Sequence, residues 1–242
     1  MYSRLDVSGS FALDREANYP VPTHLTIGLP TVELSSVLKT ALETLNEEHP
    51  DLAEMTQIVA ALANLTHYLS SDGPQIDYHR EEIFFSRTAN PVLHRLLSLP
   101  RHDDRDLDYE PVAPAVIMHE MLRVSSLMVF GLLRKLCCAG VNGNLEYKEK
   151  LMTLLTQYEV DWGTSSVMHL WVFFVAGLVA NDDERMWCAG KITEIMRQIG
   201  IENWDSLLET VQEFRWVKDL ASAQGDALGG LIDACQRLGD ER

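Results

Sequence analysis

The chain has 242 residues, 46% of them hydrophobic, and its 36 acidic against 20 basic residues give a formal net charge of -16. That is enough apolar material to bury a sizeable core, as one large domain or two small ones, and a single domain is the simpler expectation. The excess of acid, with no cluster of Lys or Arg, argues against direct contact with nucleic acid, because such binding depends on neutralising several phosphates at once.

The opening MYSRLDVSGSFALDR has neither the continuous apolar core of a secretory signal nor the Arg-rich, acid-poor composition of a transit peptide, so a cytoplasmic or nuclear location is expected. Residues 1–30 are predicted to form a poorly ordered tail, and residues 31–242 the helical domain. Helix starts are predicted at Thr31 after Pro30, at Asp51 after Pro50, and at Asn90 before Pro91, each ahead of a periodic apolar pattern. Leu34, Val37, Leu38, Ala41 and Leu45 follow the helical period, and so do Met55, Ile58, Val59, Leu62, Leu65 and Leu69. Glu54, three after Asp51, has capping-box spacing. Further helices are predicted over Ile76 to Arg87 and from Asn90 through Leu99, with Pro100 ending the latter.

Val116 to Leu136 is apolar except for a narrow stripe at His119, Arg123, Ser126 and Arg134, the pattern of a helix almost wholly enclosed by others. Gly140 to Gly143 breaks it, and Leu145 to Tyr158 forms the next candidate. The run LWVFFVAGLVA, Leu170 to Ala180, is too short for the roughly 20 residues a membrane helix needs, and Asn181 to Arg185 close it with polar groups. No membrane span is expected there. Asp182, Asp183 and Glu184 cluster where a helix dipole favours negative charge, and Cys188, Ile192, Ile195, Met196 and Ile199 make one apolar face before Gly200. Asn203 caps another helix carrying Trp204, Leu207, Leu208 and Val211. No alternating strand pattern appears. The prediction is an all-α fold, a single multi-helix bundle with LWVFFVAGLVA as its fully apolar central helix.

Three stretches carry a resemblance: RTANPVLHRLLSLP (Arg87 to Pro100), HEMLRVSSLMVFGLLRKL (His119 to Leu136), and the run from His169 to Val217. Within the last lie W-x-x-F-x-x-G-x-x-A from Trp171 to Ala180, E-R-x-W at Glu184 to Trp187, W-x-x-L at Trp204, and F-x-W-V at Phe214. In order and spacing these resemble the fungal-specific transcription factor domain, the helical regulatory region of zinc binuclear cluster regulators, over roughly residues 83 to 235. The resemblance implies a part in transcription regulation, with secondary metabolism a candidate setting. It departs from the family pattern in one respect: the first cysteine is Cys137, so the six-cysteine DNA-reading cluster is missing from these residues. The implied function is a regulatory domain that senses an apolar small-molecule effector or pairs with another protein or a second copy. Two alternatives stand beside it: a piece of a longer zinc-cluster regulator, and the same fold turned to catalysis on an apolar metabolite, with His119, Glu120 or His169 moving protons.

No metal or cofactor is implied. Cys137, Cys138, Cys188 and Cys235 have no C-x-x-C spacing, and reduced thiols are expected. His119-Glu120 begins a zincin-like pattern, but Arg123 occupies the second histidine position. The cluster of His79, Glu81 and Glu82 reads as a solvated face. No nucleophile elbow, phosphate loop or dinucleotide fingerprint is present. The candidate ligand site is an apolar cavity in the second half, with Met118, Met121, Ser125, His169 and Phe173 as its residues. Methionines adapt to irregular occupants, and Trp162, Trp171, Trp187 and Phe174 stand nearby in the chain to offer flat faces. His169 is the only ionisable group between Val167 and Ala180; a satisfied core histidine and a ligand contact are both open.

Overall fold

The computed structural model describes residues 2–20, 33–69, 85–102, 112–137, 144–211 and 222–240. Ten α-helices and no strand occur among them, so the fold is all-α. They are α1 (Tyr2–Ala12), α2 (Ser36–Glu48), α3 (Ala53–Leu69), α4 (Asn90–Ser98), α5 (Pro114–Cys137), α6 (Asn144–Gln157), α7 (Ser166–Val179), α8 (Asp182–Ile199), α9 (Trp204–Thr210) and α10 (Ser222–Asp240).

Helix α7 is the hub, packing against α2, α5, α6, α8 and α10. Every residue from Leu170 to Leu178 is buried, which is why nine successive positions carry no charge. Its neighbours approach closely where side chains are absent: a Cβ on Gly177 would lie 3.0 Å from the Leu228 side chain of α10. The α7–α8 corner is closed by Asn181, whose side chain accepts from the Glu184 amide while the Glu184 carboxylate accepts from the Asn181 amide, a complete capping box. Gly200 ends α8 at φ 76°, a left-handed conformation that suits glycine. Helix α5 is long and apolar enough, over Pro114–Arg134, to cross a membrane by composition, but 89% of that window is buried within the fold.

Several boundaries differ from the sequence reading. The start of α2 is Ser35, whose hydroxyl accepts from the Leu38 amide; Thr31 lies outside the described residues. Val37 is 40% exposed, because the inward face runs through Leu38, Ala41, Leu42 and Leu45 instead. Pro50–Leu52 form a 3-10 turn, so α3 begins at Ala53 rather than at Asp51. Asn90 does not cap α4: a π-helical turn over Phe85–Ala89 runs straight into it, leaving Asn90 inside helical backbone. The expected helix over Ile76 to Arg87 and the Gly140 to Gly143 break fall mostly or wholly outside the described residues, as do His79, Glu81 and Glu82.

The largest correction concerns the amino-terminal tail. Residues 2–20 are not loose: α1 forms, Val7 and Phe11 are buried, and the segment joins the main hydrophobic core. Residues 21–32 lie outside the described set. The physical reason is a polar hook that no periodicity test detects. Asp14, at φ 42°, turns out of α1 and meets the buried guanidinium of Arg123 in a bidentate pair, both contacts at 2.7 Å. The Tyr147 hydroxyl donates to the Phe11 carbonyl, and the Arg134 guanidinium lies over the Phe11 ring at 5.2 Å while donating to the Ser8 hydroxyl at 2.9 Å.

Candidate functional site

A cleft of about 640 Å³ opens between the end of α6, the Tyr158–Trp162 connection, α7 and α8, with Met121 of α5 contributing to its lining. Helical spacing builds two of its walls. Ser166, His169 and Phe173 are i, i+3 and i+7 on one face of α7; Trp187, Lys191, Glu194, Ile195 and Gln198 share one face of α8. The connection supplies Trp162 just before the 3-10 turn at Gly163–Ser165, where Asp161 accepts from the Gly163 amide at 2.9 Å.

The aromatic side chains form a continuous wall. Trp162 stacks on His169 with ring centroids 5.3 Å apart and planes 11° from parallel. His169 then meets Phe173 at 5.0 Å, and Phe173 meets Trp187 at 5.5 Å, both tilted by 58°. Burial, with a smaller contribution from the charge of Lys191, pulls the His169 pKa down to about 4, so its imidazole is neutral at physiological pH. No hydrogen bond to that ring is found among the described residues, and it packs as a flat ring between Trp162 and Phe173.

The polar groups lie at the rim. Lys191 pairs with Glu194 at 2.9 Å, both half exposed, while Glu159 and Asp161 have no cationic partner among the described residues. Of the five residues expected from sequence, Met121, His169 and Phe173 line this cleft together. Met118 and Ser125 are fully buried and take no part in it. Tyr158, Asp161, Lys191 and Gln198 do not emerge from the sequence reading; the α6–α7 connection in particular has no periodicity to place its side chains. A polar-aromatic stripe on α8 at Trp187, Lys191 and Gln198, opposite an otherwise apolar face, is the readable signal.

The other titratable cluster is structural in its geometry. Glu120 receives Arg123 Nε and Nη2 at 2.9 and 2.8 Å and Lys150 Nζ at 2.7 Å, all of it within the packing of α5 on α6. Burial alone would raise the Glu120 and Asp14 pKa values, but the hydrogen bonds and charge of Arg123 overcome it and hold both carboxylates below their usual range. A carboxylate so engaged is no general base. His119, buried beside Glu120, has its pKa lowered to about 4 by desolvation and meets His102 edge-on at 5.5 Å. Among the described residues no group of three potential metal ligands occurs. Cys188 and Cys235 are free; burial raises the Cys188 thiol to about 12, an unreactive state, and the Cys137 and Cys138 side chains fall outside the described set.

Comparison of the chain with family models, with curated proteins and with solved structures gives no match.

Proposed function

We propose that the chain is a ligand-sensing regulatory domain, similar to the helical regulatory region of fungal zinc-cluster regulators and sensing through its cleft. The single observation that carries this reading is the aromatic wall of Trp162, His169, Phe173 and Trp187 along a cavity of about 640 Å³, within the usual range of roughly 300–1,000 Å³ for small-molecule sites. The partly exposed rings of Trp187 and His169 offer flat apolar surface to a ligand body, within a rim of polar and charged groups. Trp171, Phe174, Gly177 and Ala180 are all buried, and Phe174 lies 6.1 Å from Trp204, so these positions seat α7 against its neighbours.

Binding at this cleft links to melting temperature. A ligand present at 100 times its dissociation constant adds about 2.7 kcal/mol to stability. Thermal-shift screening of flat apolar metabolites, including sterols, polyketides and terpenoids, is expected to yield stabilisers whose effect vanishes in Trp187→Leu. If no compound raises the melting temperature, the sensing reading fails and a partner-binding role through the surface takes its place.

A further inference from the structure

The charge around the cleft narrows its ligand further, on the reading that the cleft is a small-molecule site. Three carboxylates, those of Glu159, Asp161 and Glu194, stand at its rim against one ammonium, that of Lys191. Lys191 is already paired with Glu194 at 2.9 Å. Glu159 and Asp161 are exposed and face no cation among the described residues. Behind them the partly exposed ring of Trp187 presents a negative π face, Trp being the strongest aromatic partner for a cation, and the buried rings of Trp162 and Phe173 back the wall. Neutral His169 adds a ring without adding a repelling charge. Organic anions meet the opposite arrangement: unpaired carboxylates at the entrance and a lysine already engaged.

We propose that the ligand is an organic cation, a protonated or quaternary amine on a flat apolar body, with the body against Trp187 and the edge of the His169 ring and the nitrogen toward Glu159 and Asp161. The unpaired rim carboxylates then act as the specificity elements, and the aromatic wall supplies affinity common to any flat ligand.

Isothermal titration of the full chain with three probes sharing one ring system tests this: naphthylmethyl-trimethylammonium, naphthylmethanol and naphthylacetate. The cation is expected to bind about tenfold more tightly than the neutral alcohol, with the anion weakest. Trp187→Leu should weaken all three. The double variant Glu159→Gln with Asp161→Asn should erase the cation's advantage while sparing the alcohol, because the amide side chain so introduced keeps the oxygen that accepts from the Gly163 amide. Equal affinities, an anion that binds best, or a preference untouched by the double variant overturns the inference while leaving the cleft as a ligand site. No binding by any probe, or binding indifferent to Trp187→Leu, overturns the ligand-site reading and this inference with it.

Discussion

Arg123 is fully buried yet charged, and its surroundings explain how that is tolerated. Its side chain gives two hydrogen bonds to Asp14 and two to Glu120, at 2.7 to 2.9 Å, so nearly the whole guanidinium fork is matched to carboxylate oxygens. Removing one member of such a buried set leaves the others uncompensated, which costs about 3–5 kcal/mol, whereas removing two can cost less. Arg123→Met is therefore expected to lower the unfolding free energy in urea by about that amount, and Glu120→Met added to it to restore part of the loss. A single variant as stable as the parent would mean the network carries no stability. The histidines add a pH dependence at the same scale. His119 and His169 both have folded pKa values of about 4 against an ordinary 6.5, in each case chiefly because burial disfavours the charged ring. Between those values the unfolded chain binds more protons than the folded one, so stability falls as pH drops from about 6.5 to about 4. The lowered Asp14 and Glu120 carboxylates extend the decline below the usual carboxylate range. Urea melts from pH 7 downward should show this slope, and His119→Asn with His169→Phe should flatten its upper part; an unchanged slope would assign it elsewhere.

Between elements, close approaches occur where a glycine lets two helices touch. A Cβ on Gly229 of α10 would stand 2.8 Å from the Trp204 indole of α9, nearer than real contacts allow, and Trp204 in turn packs at 6.1 Å from Phe174 of α7. Gly229→Ala is thus expected to push α9 off α10 and to destabilise by about 1–3 kcal/mol despite the better helix propensity of alanine. Gly230, with nothing within 4 Å of an added Cβ, is the control: Gly230→Ala should be neutral or stabilising by a few tenths of a kcal/mol or more. Equal melting temperatures for the two variants would contradict the packing described. The same contrast explains what is readable in advance. Helices α3, α5, α7 and α8 are legible because their apolar patterns are strong, and the Asn203 start because its cap side chain bonds the amide three residues on. Helix α1 is not, since its anchoring depends on Asp14 finding Arg123 across 109 positions of sequence. Helix α10 is equally hidden: four glycines within its span weaken every local signal, and it is held by contacts with α7, α8 and α9. The cleft is half legible for a related reason. Met121, His169 and Phe173 lie on periodic helices, whereas Asp161 and Trp162 are placed by a turn.

Across the whole molecule, the formal charge of -16 sets what the surface can approach. Among the described residues six basic groups are already engaged: Arg123 is buried against Asp14 and Glu120, Arg101 bonds the Leu97 carbonyl and Asp14, Lys148 pairs with Glu184, Lys150 with Glu120, Arg185 with Asp182, and Lys191 with Glu194. Cations already neutralised by neighbours cannot displace counterions from a phosphate backbone, and the field of the remaining carboxylates repels it. The isolated chain is accordingly expected not to bind double-stranded DNA with sequence preference at near-physiological salt. The same field should draw organic cations toward the cleft, so association of the trimethylammonium probe should slow as salt is raised while that of the neutral alcohol stays constant, because screening acts only on the charged encounter. Fluorescence-anisotropy titration with labelled duplexes and stopped-flow mixing at two ionic strengths measure the pair of outcomes. A tight, sequence-dependent DNA complex would contradict the repulsion expected from the net charge, and salt-independent association of the cation would show that the acidic rim does not steer it.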